Sequence, residues 1–505
     1  LYSPLLADDL PMFQLRVDNP VLQKLSIFEL AQKSIDQFLP MGRFTFISFY
    51  YTEWVFRAFQ TPLSYKLWML LMNLASVTAF IYWLRYIGFK FNKSLLLVCI
   101  AAGVQLRLDF HDAFSSYVGL VQLFNLTLFA TSALWLKNYR DFSWITFVFA
   151  LLGTAVLLMI SEYALMLILL VPLTFWASDS HNNSNPRWLY ILKKTVPIIL
   201  LCFIYLAAII VIRKTNVSAN VYSGLKSNLN FTSMALLQIK QMYAAFPLTN
   251  LTGVPQIPVR LLNQITFWDV LIASILLVVL IKYSSFKSTF SFSWGWIFLG
   301  CFFWIFTSIF ILPSVKYQNE ISWGSGYLSL CLQSYGMAML MYLAVSRFES
   351  AGKWIMLLFI LVNFWNNHAL SKKYHYKKTF PATVLWESIK NERLLPQNTV
   401  LVMNKDYYFE SSQMWEDLIN HHQKINCTVI DASKGIDNNM KDSILSCADN
   451  KPLYGLMCRD GHEIEFTLGK LDKSELHQNG VLKLFGAEKT VTAKNPHRVI
   501  EADLF

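Results

Sequence analysis

The feature that most constrains this chain is a succession of long apolar stretches joined by short loops. Ten stand at roughly 64–87, 94–106, 114–136, 142–160, 163–178, 195–213, 266–282, 292–313, 325–345 and 352–369. A hydrocarbon core about 30 Å thick takes about 20 apolar residues of helix to cross. In that medium each backbone polar group must be satisfied inside its own segment, so such runs fold as helices. The composition agrees: 55% of residues are apolar and 15% charged, where soluble domains carry about 25% charged. The expected fold class is mainly α, a polytopic transmembrane helical protein. The run at 94–106 is short for a crossing. It reads either as a pair of half-depth helices or as a tilted helix continuing through "VQLRLDF".

Charge sets the expected orientation. One set of loops holds "YWLRYIGFKFNK", "LKNYR", "NPRWLYILKK", "IKYSSFK" and "SRFESAGK", all short and basic, which predicts a cytoplasmic side. The opposite set holds "LRLDFHDAF", "SEY", the 214–264 segment, "PSVKYQNEISWGSGY" and everything after 370. Residues 1–63 fall with that outer set. The alternation then needs one further span ahead of Leu1, about eleven in all, with an inside N-terminus. The net charge of +11 lies in these loops rather than in a basic stripe with polar aromatics, so nucleic acid is not an expected partner. No Cys spacing suggests zinc.

Two segments ahead of the first long run read as interfacial helices. Residues 21–38 mix Leu22, Leu25, Phe28, Leu30 and Phe38 with Lys24, Glu29, Lys33 and Asp36, an amphipathic pattern. Residues 44–60 are aromatic-rich with Glu53 and Arg57, and Pro40 and Gly42 punctuate the turn between the two. Three regions follow: 1–63, an outer loop with these helices; 64–369, the transmembrane domain; and 370–505, a small soluble α/β domain. In the last, "NTVLVMN", "CTVIDA", "YGLMC", "EIEFTL" and "VLKLF" predict strands. "SSQMWEDLINHH" predicts a helix capped by Ser411 or Ser412.

Ionisable groups at span ends are the candidate site. Asp8 and Asp9 stand in the first outer segment. Arg107, Asp109, His111 and Asp112 form "RLDFHD". Glu162 and Tyr163 interrupt an apolar stretch, and Lys316, Tyr317, Gln318 and Glu320 follow the 292–313 run. Each also has a plain structural reading. The Asp pair suits solvated backbone after a helix, Arg107 can neutralise Asp109, and Glu162 suits a tight helical hairpin. His111 suits an interfacial histidine, and Lys316 suits a lipid headgroup. Their common sidedness favours a site, since charge at membrane depth is costly and usually functional. A carboxylate at the surface serves as general base toward an acceptor hydroxyl. A cation beside it stabilises a phosphate leaving group. These parts suit group transfer from a phosphate-linked lipid to an outer acceptor.

The layout resembles the GT-C glycosyltransferases. The matching stretches are "ADD" at 7–9, the two interfacial segments, Gly42–Arg43, "SEYALM" at 161–166 and "LPSVKYQNEISWGSGYLSL" at 312–330. Within that superfamily it is similar to bacterial enzymes that glucosylate O-antigen or related surface polysaccharides. The resemblance implies an inverting hexosyltransferase with a polyprenyl-phosphate sugar donor, a glycan or lipid-linked glycan acceptor and contact with membrane lipid. It implies Asp8 or Asp9 as catalytic base, Lys316, Arg107 and Arg43 at the donor phosphate, and Asp109, His111, Asp112, Glu162, Tyr163, Tyr317, Gln318 and Glu320 at the substrates. No cofactor is required by this scheme, and a divalent metal is compatible with it. The implied location is a bacterial inner membrane with the site and the C-terminal domain in the periplasm. Sequons in the 214–264 segment, such as those at Asn216, Asn230 and Asn250, would also permit an endoplasmic reticulum protein. A transporter or flippase of lipid-linked saccharides is the alternative, a glycan polymerase or ligase and a non-catalytic scaffold lesser ones.

Overall fold

The structure is a computed structural model. It describes residues 24–40, 43–106, 114, 117–181, 188–215, 227–249, 270–271, 274–275, 278, 294–325, 327–374, 395–404, 416, 419–420, 424–432, 436–449, 451–460, 463–479 and 481–494. The chain divides into two compact units, Leu25–Leu370 and a second that takes in Ser371–Phe505.

The first unit is helical. It opens with α1 (Ile27–Phe38) and α2 (Phe46–Ala58). Ser26 starts α1 through a reciprocal capping box with Glu29, which satisfies two otherwise orphaned backbone donors. That bonding also holds the exposed Glu29 carboxyl below the usual carboxylate range, the Ser26 backbone bond contributing most. The α2 helix turns one side into the protein. Glu53, Val55 and Phe56 are buried, and Arg57 donates to the Leu25 carbonyl, tying α2 back to the start of α1.

Next come α3 (Pro62–Ile87), α4 (Lys93–Gly103), α5 (Leu120–Arg140), α6 (Trp144–Ile160), α7 (Leu167–His181) and α8 (Trp188–Thr215). They are followed by α9 (Phe231–Ala244), α10 (Trp294–Cys301), α11 (Val315–Glu320), α12 (Leu330–Val345) and α13 (Glu349–Tyr374). Among the described residues, five helices are long and apolar enough to cross a membrane: Leu63–Ile87, Tyr117–Arg140, Glu162–Asp179, Trp188–Ile212 and Trp294–Ile311. Lys93–Gly103, Trp144–Ile160 and Leu330–Val345 are shorter apolar helices. Most of the expected 266–282 span lies outside the described residues. The chain is thus a membrane protein by the length and character of its helices, and its outward faces agree. On α3, Leu63, Leu67, Leu70, Leu71 and Leu74 are exposed, whereas Tyr65, Lys66, Met69, Met72 and Ser76 are buried. On α6, Ile145, Phe149, Leu152 and Val156 form a similar exposed stripe. A helix with its apolar face outward is the reverse of a water-facing one. Continuous apolar patches of this extent mark a nonaqueous contact.

The core is aromatic. Phe80 stacks on Tyr335 with centroids 4.8 Å apart, and Phe129 sits 5.2 Å from both Phe80 and Trp83. Phe303 closes the group edge-on, 5.8 Å from Trp83. Helices α10 and α12 approach at Gly300 and Gly336. A Cβ on Gly336 would lie 2.5 Å from the Trp304 nitrogen and 2.6 Å from the Gly300 oxygen. Small residues at such crossings let backbones pack closely. The helix continues past Cys301 as a π-helical turn, Phe302–Phe306.

The alternation of chain direction predicted from the loops is visible at the helix ends. Arg140, closing α5, donates to the Ile87 carbonyl closing α3 and to Ser178 near the end of α7. Tyr139 donates to Asp179 at 2.6 Å. Lys93 and Arg140 lie over the Tyr82 and Tyr86 rings. The ends of α3, α5 and α7 and the start of α4, with Lys93 and Arg140, therefore gather at one end. At the other end, Tyr51 of α2 donates to the Val118 carbonyl, and the Val118 N–H donates to Tyr65 near the start of α3. Tyr117, Val118 and Gly119 all hold positive φ there, and a Cβ on Gly119 would press the Tyr51 hydroxyl at 3.2 Å.

α4 has 11 residues, about 16 Å of helix at 1.5 Å per residue. The helix stops at Gly103, with Val104 already extended; residues 107–113, on which the rest of both readings of 94–106 falls, lie outside the described residues. Its terminal groups are taken up by α13. Asn363 donates to the Ala102 carbonyl, Asn367 donates to the Val104 carbonyl, and the Leu106 N–H donates to Asn367.

The second unit is an α/β fold with β1 (Thr399–Met403), β2 (Cys427–Asp431), α14 (Asn438–Cys447), β3 (Leu453–Asp460), β4 (Glu463–Leu471), α15 (Lys473–Asn479) and β5 (Leu484–Lys494). The sheet order is β2-β1-β3-β4-β5. β1 runs parallel to both neighbours, and β3, β4 and β5 are antiparallel. β1 is buried along its whole length, as a central strand covered on both faces requires. Two expectations need correction. The last strand begins at Leu484, so most of "VLKLF" precedes it. Helices α14 and α15 were not anticipated; Asp437 and Asp472 start them by accepting backbone N–H bonds. Ser411 and Ser412 lie outside the described residues.

Candidate functional site

The site is built where three segments meet. The first is the break between α6 and α7. Ser161 closes α6 through a backbone bond to Leu157, then turns in extended backbone and accepts the Tyr163 N–H through its hydroxyl. A 3-10 turn, Glu162–Met166, leads into α7. One polar residue thus ends one helix and starts the next, which brings Glu162 and Tyr163 to the hairpin tip. Glu162 is half-buried, and one of its carboxylate oxygens is out of reach of solvent.

The second segment is α9, inside the stretch expected to be only a loop. Asn230 caps it by accepting the Ser233 N–H. Ahead of it, Asn228 is tied to the third segment: its N–H donates to the Pro313 carbonyl, its side-chain amide donates to the Gln318 side-chain oxygen, and its backbone carbonyl accepts from the Gln318 amide.

The third segment runs from the π-helical turn through α11 to the start of α12. Gln318 also donates to the Leu312 carbonyl at 2.7 Å, pinning α11 to the turn before it. Tyr317 points inward. Its hydroxyl is 2.7 Å from that of Tyr327, both buried, with ring centroids 4.4 Å apart. Lys316 and Glu320, one helical turn apart, form an ion pair at 3.9 Å, the Glu320 side chain more than half exposed.

The three segments share one small apolar cluster: Leu237 of α9; Ile311, Leu312, Tyr317, Ile321 and Tyr327 of the third; and Tyr163 packed against them. The Tyr163 ring lies edge-on to Phe310 at 6.5 Å. Its hydroxyl is buried beside Ser329 and Tyr317 without a well-formed hydrogen bond. Of the expected site residues the structure therefore brings together Tyr163 and Tyr317; Glu162 adjoins the first along the chain, and Lys316, Gln318 and Glu320 share the short helix α11 with the second. Arg43 stands at the turn between α1 and α2, its guanidinium 5.8 Å from the Phe38 ring. Asp8, Asp9, Arg107, Asp109, His111 and Asp112 lie outside the described residues. Among the described residues no three His, Cys, Asp or Glu side chains gather as metal ligands would.

Beside this cluster runs a polar seam that the sequence reading did not single out. Gln238 and Gln241 on α9 face Ser329 and Gln333 of α12. Gln238 donates to the Ile305 carbonyl and accepts from Ser308. Gln333 donates to the Trp304 carbonyl at 3.0 Å. Ser329 donates to Gln241 at 3.5 Å. The available signal was the pair of Gln residues three apart in "LLQIKQMY", which places both on one helical face, behind an Asn at the helix start.

No known protein family matches the sequence, and no curated protein matches it either.

Proposed function

We propose that this protein is an integral-membrane glycosyltransferase of GT-C type. It moves a sugar from a polyprenyl-phosphate donor to a hydroxyl on an outer glycan or lipid-linked glycan. The observation that carries the reading is the meeting of Tyr163, next to Glu162, with Tyr317, next to Lys316, at the ends of apolar helices. Acidic, cationic and aromatic groups thus share a location where a lipid-borne headgroup would stand.

In this scheme Asp8 or Asp9 removes the proton from the acceptor hydroxyl. The oxygen attacks the anomeric carbon, the bond from that carbon to the phosphate oxygen breaks, and polyprenyl phosphate leaves with the electron pair. A phosphate leaving group needs little protonation, so a neighbouring cation suffices; Lys316 and Arg107 are assigned that task. Arg43, Asp109, His111, Asp112, Gln318 and Glu320 are assigned to holding donor and acceptor. The proposed setting is a bacterial inner membrane with this end of the bundle in the periplasm.

The test is sugar transfer by purified protein from radiolabelled polyprenyl-phosphate donors. Asp8→Asn or Asp9→Asn should lower turnover about 10²- to 10⁴-fold, the usual weight of a general base, while donor binding survives. Equal turnover in wild type and both variants would remove the Asp pair from the mechanism. A second reading, a transporter of lipid-linked saccharides, is favoured by one observation: α4 has only 11 residues, about half the length a full crossing takes, and interrupted helices often line transport sites. Donor translocation in liposomes without transfer to any acceptor would select it.

A further inference from the structure

The basic end of the bundle carries a notch that the candidate site does not use. Lys194 stands inside α8, about 9 Å along the helix axis from Trp188. Its side chain leans back toward the helix start, and its ammonium lies against two rings. One is Tyr190 at 5.4 Å; the other is Phe142, in the turn between α5 and α6, at 5.3 Å. Tyr190 lies 5.4 Å from Tyr139 and Phe142 5.4 Å from Trp144, so the start of α8 and the α5–α6 turn share one aromatic rim. Arg140, next along the chain from Tyr139, adds a second, exposed positive charge. Among the described residues neither cation forms an ion pair. Of the nearby carboxylates, Asp141 is exposed and Asp179 accepts from Tyr139. Ring faces attract a cation but carry no net charge, so the positive charge of the rim stays unbalanced.

Away from the rim, α6 and α8 pack together, and both turn apolar side chains outward. Ile145, Phe149 and Leu152 are exposed on α6, and Leu192, Val196 and Leu200 on α8. A ligand for this surface is anionic where it meets Lys194 and apolar where it runs along the two helices. A free phosphate or an acidic peptide meets only the first condition. A zwitterionic lipid meets the second, but its own ammonium offsets its phosphate. We propose that the notch binds an anionic phospholipid, with its phosphodiester at Lys194, Arg140 supporting the charge, and an acyl chain along α6 and α8. Basic pockets between helices at a membrane surface hold such headgroups. The notch stands at the opposite end of the 17-residue α6 from Glu162, about 25 Å of helix away. It is therefore separate from the candidate site, and the inference stands without the glycosyltransferase reading.

The experiment uses the purified full-length chain, stripped of lipid in a neutral detergent. Native mass spectrometry measures its binding of phosphatidylglycerol and of phosphatidylcholine. Wild type should hold phosphatidylglycerol about fivefold more tightly, the weight of one basic side chain at an anionic surface. Lys194→Gln should bring the two lipids close to parity. Lys193→Gln removes the same charge from the exposed neighbouring residue and should keep the preference. Thermal melting checks that each variant is folded. Phe142→Ala, which takes away one wall of the notch, should lower the preference too and replaces Lys194→Gln if that variant is unfolded. Equal wild-type affinity for the two lipids, or equal losses in Lys193→Gln and Lys194→Gln, would overturn the site and leave only the diffuse attraction of a basic surface. Displacement of phosphatidylglycerol by water-soluble glycerol phosphate at the same concentration would overturn the lipid as its occupant.

Discussion

Replacing Gly336 by Ala adds one methyl group at a helix crossing where backbone meets backbone closely. The new Cβ would sit 2.5 Å from the Trp304 nitrogen, 2.6 Å from the Gly300 oxygen and 2.8 Å from the Phe303 Cβ. Ordinary contacts between such atoms fall near 3.5–4.0 Å, so the crossing must open by about 1 Å. Two of the three obstacles are backbone atoms, which no rotamer change can move. Overpacking of this kind costs about 1–3 kcal/mol. Opening the crossing also stretches the Gln333 bond to the Trp304 carbonyl, 3.0 Å long, which adds about 1 kcal/mol. The expected loss is about 3 kcal/mol in equilibrium unfolding from mixed detergent micelles. Gly103→Ala is the matched control, because its Cβ would meet only the Ser334 oxygen at 3.9 Å. It should change stability by less than about 1 kcal/mol in either direction. A Gly336→Ala protein as stable as the control would refute the packing argument.

Three further outcomes are expected. Tyr317→Phe or Tyr327→Phe removes a 2.7 Å bond between two buried hydroxyls and should cost about 0.5–1.5 kcal/mol, while the double variant should cost less than the two singles summed; a double-mutant cycle measures this. Burial pushes the Cys427 thiol up to about 12, so with Cys427 fully buried it should resist maleimide at pH 8 in folded protein and react on unfolding, as mass spectrometry of the labelled peptides would report. Hydrogen bonds from Ser474, its side chain first, hold the Asp472 carboxyl below its ordinary value. A depressed carboxyl stabilises the folded state above the unfolded value near 3.9 and loses that contribution as pH falls through the folded one. Asp472→Ala should therefore flatten the acid limb of the second unit's pH–stability curve, followed by circular dichroism.

Much of the fold was legible because a bilayer imposes long apolar segments. The starts of α3 and α6 and four of the five strands lie within about two residues of expectation. What escaped notice was set by distant partners. α9 was hidden in a presumed loop because its 14 residues are too few for a crossing, and its Gln residues find their partners only on distant segments. The inward turn of Glu53 on α2 depends on helices that composition cannot arrange. Of the candidate site, Glu162 and Lys316 were found as charges out of place. Gln241, Ser329 and Gln333 were not, since an uncharged polar residue in an apolar run raises no alarm until its neighbours are known.

The way α4 ends also has a consequence for biogenesis. Its last carbonyls are satisfied by Asn363 and Asn367, 261 to 263 residues further along the chain. At a synthesis rate of about 5–20 residues per second, that interval lasts about 13–52 s. Until α13 emerges, the nascent protein holds a half-depth helix with bare carbonyls, a segment that needs shelter in the insertion machinery or an assisting chaperone. Ribosome-stalled intermediates cut short before Asn363 should therefore crosslink at α4 to that machinery, and longer ones should not.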